Sequence, residues 1–142
     1  MYTIGLEADT QSYYSGITIM ISLPTGTKLL NYIYTQVGET IGTSVSSVYL
    51  YHTLVVVMIT MGGSTGIVLG NAAMDVSLHD TYYVVSHFHF ILSLGTMVSI
   101  LLGVLHSQEY LVIGIPPTLA LVTLLYYTSL CMGVSMTFLP LH

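Results

Sequence analysis

The sequence predicts an all-α membrane protein, a polytopic bundle of four transmembrane helices, and two observations carry that prediction. Of its 142 residues, 54% are hydrophobic and only 5% charged, where a soluble domain has about 25% charged residues; the mean hydropathy is +0.83. The apolar residues also fall into four blocks, at residues 12–34, 48–70, 82–105 and 112–139, each near the roughly 20 residues that cross a bilayer core. Four spans and their connections use up the chain and leave no separate soluble domain. One basic residue, Lys28, against six acids excludes a nucleic-acid surface or a polybasic membrane anchor. It also removes the loop bias that would orient the bundle. The single cysteine, Cys131, lies in an apolar run and is assigned to packing. Residues 1–10 lack the basic start of a signal peptide, so the spans themselves are expected to direct insertion, unless the chain is made near its membrane.

The first block is polar along one side. Ser15, Thr18, Ser22, Thr25 and Lys28 recur at intervals of three and four, which places them on one helical face that must look into protein or a watered passage. Hydroxyls leading to a buried ammonium suggest a proton path, because a lysine in the membrane costs roughly 2.5–3.5 kcal/mol by insertion scales. The ordinary alternative is a lysine snorkelling to the interface from the end of its span. Pro24 lies within the same block and is expected to bend it. A connection rich in Gly, Ser and Thr follows at 35–47.

The second block carries Gly62, Gly66 and Gly70 at intervals of four. Such a ladder admits close approach by another helix, the default, or by a flat ring. His52 near its start reads as a core histidine, and His106 and His142 at later span ends read as interfacial. With 12 tyrosines and no tryptophan, interfacial anchoring falls to tyrosines near span ends, such as Tyr13, Tyr14, Tyr49, Tyr51, Tyr82, Tyr83 and Tyr110.

The connection at 71–81 holds Asp75, His79 and Asp80. An imidazole beside a carboxylate at a membrane surface can hold a hard divalent ion or orient water, although a solvated turn has the same composition. The third block then opens with the most informative run in the chain. His79, His87 and His89 are three of six histidines within eleven positions. His87 and His89 are two apart, which turns their side chains about 200° from each other around a helix. They cannot share one metal ion. If both are ligands, they serve two cofactors on different sides of one helix, as a wall between two hemes would. The last connection, 106–109, is short, and the fourth block closes the chain.

The run HDTYYVVSHFHF at 79–90 resembles the signature of cytochrome c oxidase subunit I, the catalytic subunit of the heme-copper oxidases. MYTIGLEADT at 1–10 resembles the segment after that family's copper-binding histidine pair, PTGTK at 24–28 its proton-path helix, GGSTGIVLGN at 62–71 its next helix, and GVSMTFLP at 133–140 the end of a later one. The match covers nearly the whole chain and implies a piece of a larger bundle, the eighth to the eleventh of that family's roughly twelve helices.

The resemblance implies that His87 is the axial ligand of the oxygen-binding heme and His89 an axial ligand of the low-spin heme. It puts Lys28 and Thr25 in a proton-uptake path, His79 and Asp80 at a magnesium site on the outer subunit interface, and Asp75 near a heme propionate. The implied cofactors are two hemes a, magnesium and copper, with the copper ligands and the other low-spin ligand in regions this chain lacks. The implied reaction is reduction of dioxygen to water with coupled proton translocation. A di-heme electron-transfer module without oxygen chemistry and a heme-copper nitric oxide reductase remain the alternatives; Lys28 and the His79–Asp80 pair favour the oxidase. The implied partners are a separate chain or chains carrying the remaining helices of a split subunit I, other oxidase subunits including subunit II, cytochrome c and membrane lipid. The implied location is the mitochondrial inner membrane, with a bacterial plasma membrane as the alternative. Gln11 stands where the family commonly has Arg, and Ser135 and Leu141 where it has Asn and Gln. These departures alter local hydrogen bonding near the first and last spans and leave the proposed heme ligands in place.

Overall fold

The computed structural model describes residues 1–37, 47–110 and 116–141. Within them the chain runs through α1 (Ala8–Met20), α2 (Ser22–Val37), α3 (Ser47–Gly70), α4 (Ala72–Leu78), α5 (Tyr82–Phe88), a π-helical segment (His89–Thr96), α6 (Met97–Tyr110), α7 (Pro117–Phe138) and a 3-10 turn (Leu139–Leu141). Among the described residues, three stretches are long and apolar enough to cross a membrane: Tyr49–Gly70, Tyr82–Ser107 and Leu121–Leu141. The protein is an all-α membrane bundle; three of the four expected blocks contain such a stretch, and the first is helical but divided.

The difference lies in the first block, which is divided at Ile21 into α1 of 13 residues and α2 of 16. Ile21 itself keeps right-handed helical dihedrals, φ −63° and ψ −24°, so this is a one-residue break in a run whose two parts together have the length to cross a bilayer core about 30 Å thick. The cause is local. Pro24 has no N–H to offer the carbonyl of Met20, and its ring crowds that carbonyl, so the helix is interrupted just after it. Two further boundaries differ. The connection 71–81 contains α4, whose N-cap Asn71 accepts a hydrogen bond from the Ala73 N–H. The short connection expected at 106–109 is instead helical, because α6 continues to Tyr110. The expected connection at 35–47 falls mostly outside the described residues, as do Val112 and His142.

One core joins α3, the π-helical segment, α6 and α7. Tyr51, Val55 and Met58 pack with Phe90, Leu94, Val98, Leu102, Leu124 and Cys131. Cys131 is buried there. Tyr51, expected at the interface, is fully buried with its ring edge-on to Tyr127 at 5.9 Å; α3 is turned so that this position faces α7. Gln11 donates from Nε2 to the carbonyls of Tyr2 and Leu6, at 3.4 and 3.3 Å, so it ties down the chain ahead of α1.

Candidate functional site

His87 sits in the last turn of α5 and points at α3. Its Nδ1 lies 2.9 Å from the Gly62 carbonyl and 3.0 Å from the Thr65 hydroxyl. A carbonyl can only accept, so Nδ1–H donates to it and the lone pair is left on Nε2. This is the arrangement found behind metal-bound histidines, where a backbone carbonyl fixes ring and tautomer. The glycine ladder makes the approach possible. A Cβ on Gly66 would meet the His87 Cε1 at 2.8 Å, and one on Gly62 would meet Ile91 Cγ1 at 2.6 Å. Gly70, one step further, packs against Thr18 and Ile19 of α1 instead. The ladder thus takes helix partners on two sides.

His89 opens the π-helical segment and meets other neighbours. Its Nδ1 donates to the Val85 carbonyl at 2.7 Å, again leaving Nε2 with the lone pair. Its ring stacks on Phe138 at 4.5 Å and 16° and lies 4.6 Å from Phe88. The two imidazoles, two positions apart, therefore address different elements: His87 meets α3 and His89 meets the end of α7. Each has the donor chemistry of a heme ligand, one basic nitrogen backed by a hydrogen-bonded one. The segment His89–Thr96 is π-helical, a distortion that collects at functional sites, and at its end the Thr96 hydroxyl donates to the Ile91 carbonyl at 3.3 Å.

The polar stripe is less continuous than its spacing suggests. Ser15 crosses to α3, donating to the Gly70 carbonyl at 2.8 Å and accepting from the Ala72 N–H at 3.1 Å. Thr18, Ser22 and Thr25 each donate to a backbone carbonyl three or four residues back, those of Tyr14, Ile19 and Ile21, a satisfied state that membrane helices tolerate. Their side chains still line a ≈ 410 Å³ cavity between α1–α2 and α3 that extends to Gly66. Thr25 and Lys28 line a second cavity of ≈ 460 Å³, between α2, α3 and α6, together with Tyr32, His52, Ser99 and His106, but both are exposed, so the ammonium expected to be buried is not covered by the described helices. Tyr32, His52 and His106 did not stand out as one group in the sequence. Tyr32 carried a signal, since it follows Lys28 by four and shares its face; the two histidines carried none.

At the other end of the bundle, His79 Nε2 lies 3.3 Å from an Asp80 carboxylate oxygen, and Asp80 is 90% exposed. Asp80 has a φ of 55°, a left-handed turn conformation that Asp is among the few residues to adopt. Asp75 shares a ≈ 630 Å³ recess with this pair. Among the described residues, no three His, Cys, Asp or Glu side chains gather closely enough to hold one ion. His79 and Asp80 thus offer two donors, and a hard cation would need the rest from water or another chain.

Residues 1–142 match the family described as cytochrome c and quinol oxidase polypeptide I. The chain belongs to this family. It is 44% identical over 142 residues to the cytochrome c oxidase subunit 1 of Plasmodium falciparum, covering all of this chain and 29% of that protein. It is 38% identical over 143 residues to the protein of the same name from Pecten maximus, again all of this chain and 29% of the relative. With that of Yarrowia lipolytica it shares 36% identity over 143 residues, 26% of the relative. The chain spans less than a third of the length of these oxidase polypeptide I relatives.

Proposed function

We propose that this chain supplies the heme-bearing wall and part of a proton path to the catalytic subunit of a cytochrome c oxidase, in the mitochondrial inner membrane. The observation that carries the reading is the pair His87 and His89, each with its Nδ1–H donating to a backbone carbonyl, His87 against Gly62 of α3 and His89 stacked on Phe138 of α7. His87 would hold the oxygen-binding heme and His89 the low-spin heme. Heme a, when bound, supplies iron for electron transfer and oxygen binding. The chain's own work is to orient the two imidazoles and, through Lys28 and Thr25, to carry protons toward the reduction of dioxygen to water. His79 and Asp80 would give two donors to magnesium at the interface with subunit II, and Asp75 would lie near a propionate. Copper would be held by histidines of the remaining helices of subunit I, and cytochrome c would deliver electrons.

A reduced-minus-oxidised spectrum of the purified native complex tests this reading. An a-type band from two hemes supports it; a b-type band alone would favour the di-heme module or a nitric oxide reductase. Intact-mass measurement of the same complex tells whether the remaining helices sit on a separate chain.

A further inference from the structure

The ≈ 460 Å³ cavity beside Lys28 gathers titratable side chains from three helices in a setting otherwise made mostly of Leu, Val and Ile. Tyr32 Oη is hydrogen-bonded to His52 Nδ1 across 20 positions of sequence, with ring centroids 5.3 Å apart. The His52 ring stands edge-on to His106 at 6.3 Å. On α2, Lys28 lies one turn beyond Tyr32 on the same face. His52 is in the first turn of the span Tyr49–Gly70 and His106 in the last turn of Tyr82–Ser107, so both lie at the bundle end away from His79 and Asp80. His106 is exposed, while His52 and Tyr32 are half-buried. Lys28, one turn further from that end than Tyr32, is exposed as well.

We propose that His106, His52 and Tyr32 form an inlet relay that loads protons onto Lys28, a proposal that rests on the reading of Lys28 as a proton-path residue. Three ionisable side chains converging at a membrane span end are costly unless they are paired or functional. Imidazole and phenol are also groups that both accept and donate a proton. A proton taken up at His106 passes to His52 Nε2, directly or through water, for which the cavity has ample room. His52 then releases its Nδ1 proton to the Tyr32 oxygen. The Tyr32 hydroxyl proton moves on, through water in the cavity that both side chains line, to the neutral Lys28 amine, which becomes ammonium. Each relay member ends with the number of protons it began with, and no electron moves. Among the described residues His52 meets Tyr32 from α2 and His106 from α6, and Lys28 lines the same cavity, so the relay has a donor side and an acceptor side.

The test is stopped-flow proton uptake by the assembled oxidase on reduction, with heme spectra recorded in parallel. His52→Gln keeps a hydrogen-bonding partner for Tyr32 but cannot be protonated and deprotonated in turn. It is expected to slow uptake by about 10²-fold, as removal of a positioned proton carrier does, with both heme spectra intact. Added imidazole is expected to restore uptake in His52→Ala. Uptake at the wild-type rate in His52→Gln would overturn the relay and leave His52 a packing residue. Should that variant fail to assemble, Tyr32→Phe, which removes only a hydroxyl, decides in the same way. Lys28→Met separates the two readings: slow uptake there with normal uptake in His52→Gln rejects the relay alone, whereas normal uptake in Lys28→Met rejects the proton-path reading beneath it.

Discussion

His87 lies against Gly66 so closely that a single added methyl group at position 66 would meet its Cε1 at 2.8 Å. The imidazole is therefore placed by the absence of a side chain on the facing helix as much as by its own hydrogen bonds. Gly66→Ala is expected to push the ring from the Gly62 carbonyl, at the 1–3 kcal/mol that overpacking costs, roughly. Carbon monoxide binding to the reduced complex checks this. The ligand-sensitive band should shift or weaken while the low-spin band keeps its position.

The two histidines should separate spectroscopically. His87→Ala is expected to remove the ligand-sensitive heme signal, and His89→Ala to disturb chiefly the low-spin heme, because each removes a different proposed iron bond. Identical losses confined to one heme in both variants would contradict the two-sided arrangement.

Phe138 gives a milder probe of the His89 side. Its ring stacks on the imidazole at 4.5 Å, a contact worth about 0.5–1.5 kcal/mol. Phe138→Ala should loosen His89 and broaden or shift the low-spin band, with carbon monoxide binding unchanged. A variant with both spectra altered alike would mean that the substitution acts through the common core and not through His89.

Lys28→Met should slow turnover while leaving both hemes in place, since it deletes a protonatable group and no proposed ligand. Steady-state oxygen consumption and the heme spectra together measure it. Wild-type turnover in this variant would make Lys28 a snorkelling residue.

The sequence by itself determined the membrane class, because hydropathy is a sum over residues and needs no contacts. It also determined that His87 and His89 cannot converge on one ion, since two positions on any helix are turned well apart. The interruption of the first block was readable at Pro24, whose missing N–H acts on its own turn. Tertiary structure alone decided the rest. The glycine ladder announced close packing, but only the rotation of α3 against its neighbours gave Gly66 to His87 and Gly70 to α1. The same rotation buried Tyr51, which position alone had put at the interface. The pairing of Tyr32 with His52, and the approach of His106, join three helices around one cavity. No local pattern encodes that. Periodicity fixes which residues share a face of one helix, whereas which faces meet depends on the register and rotation chosen by packing all the helices at once.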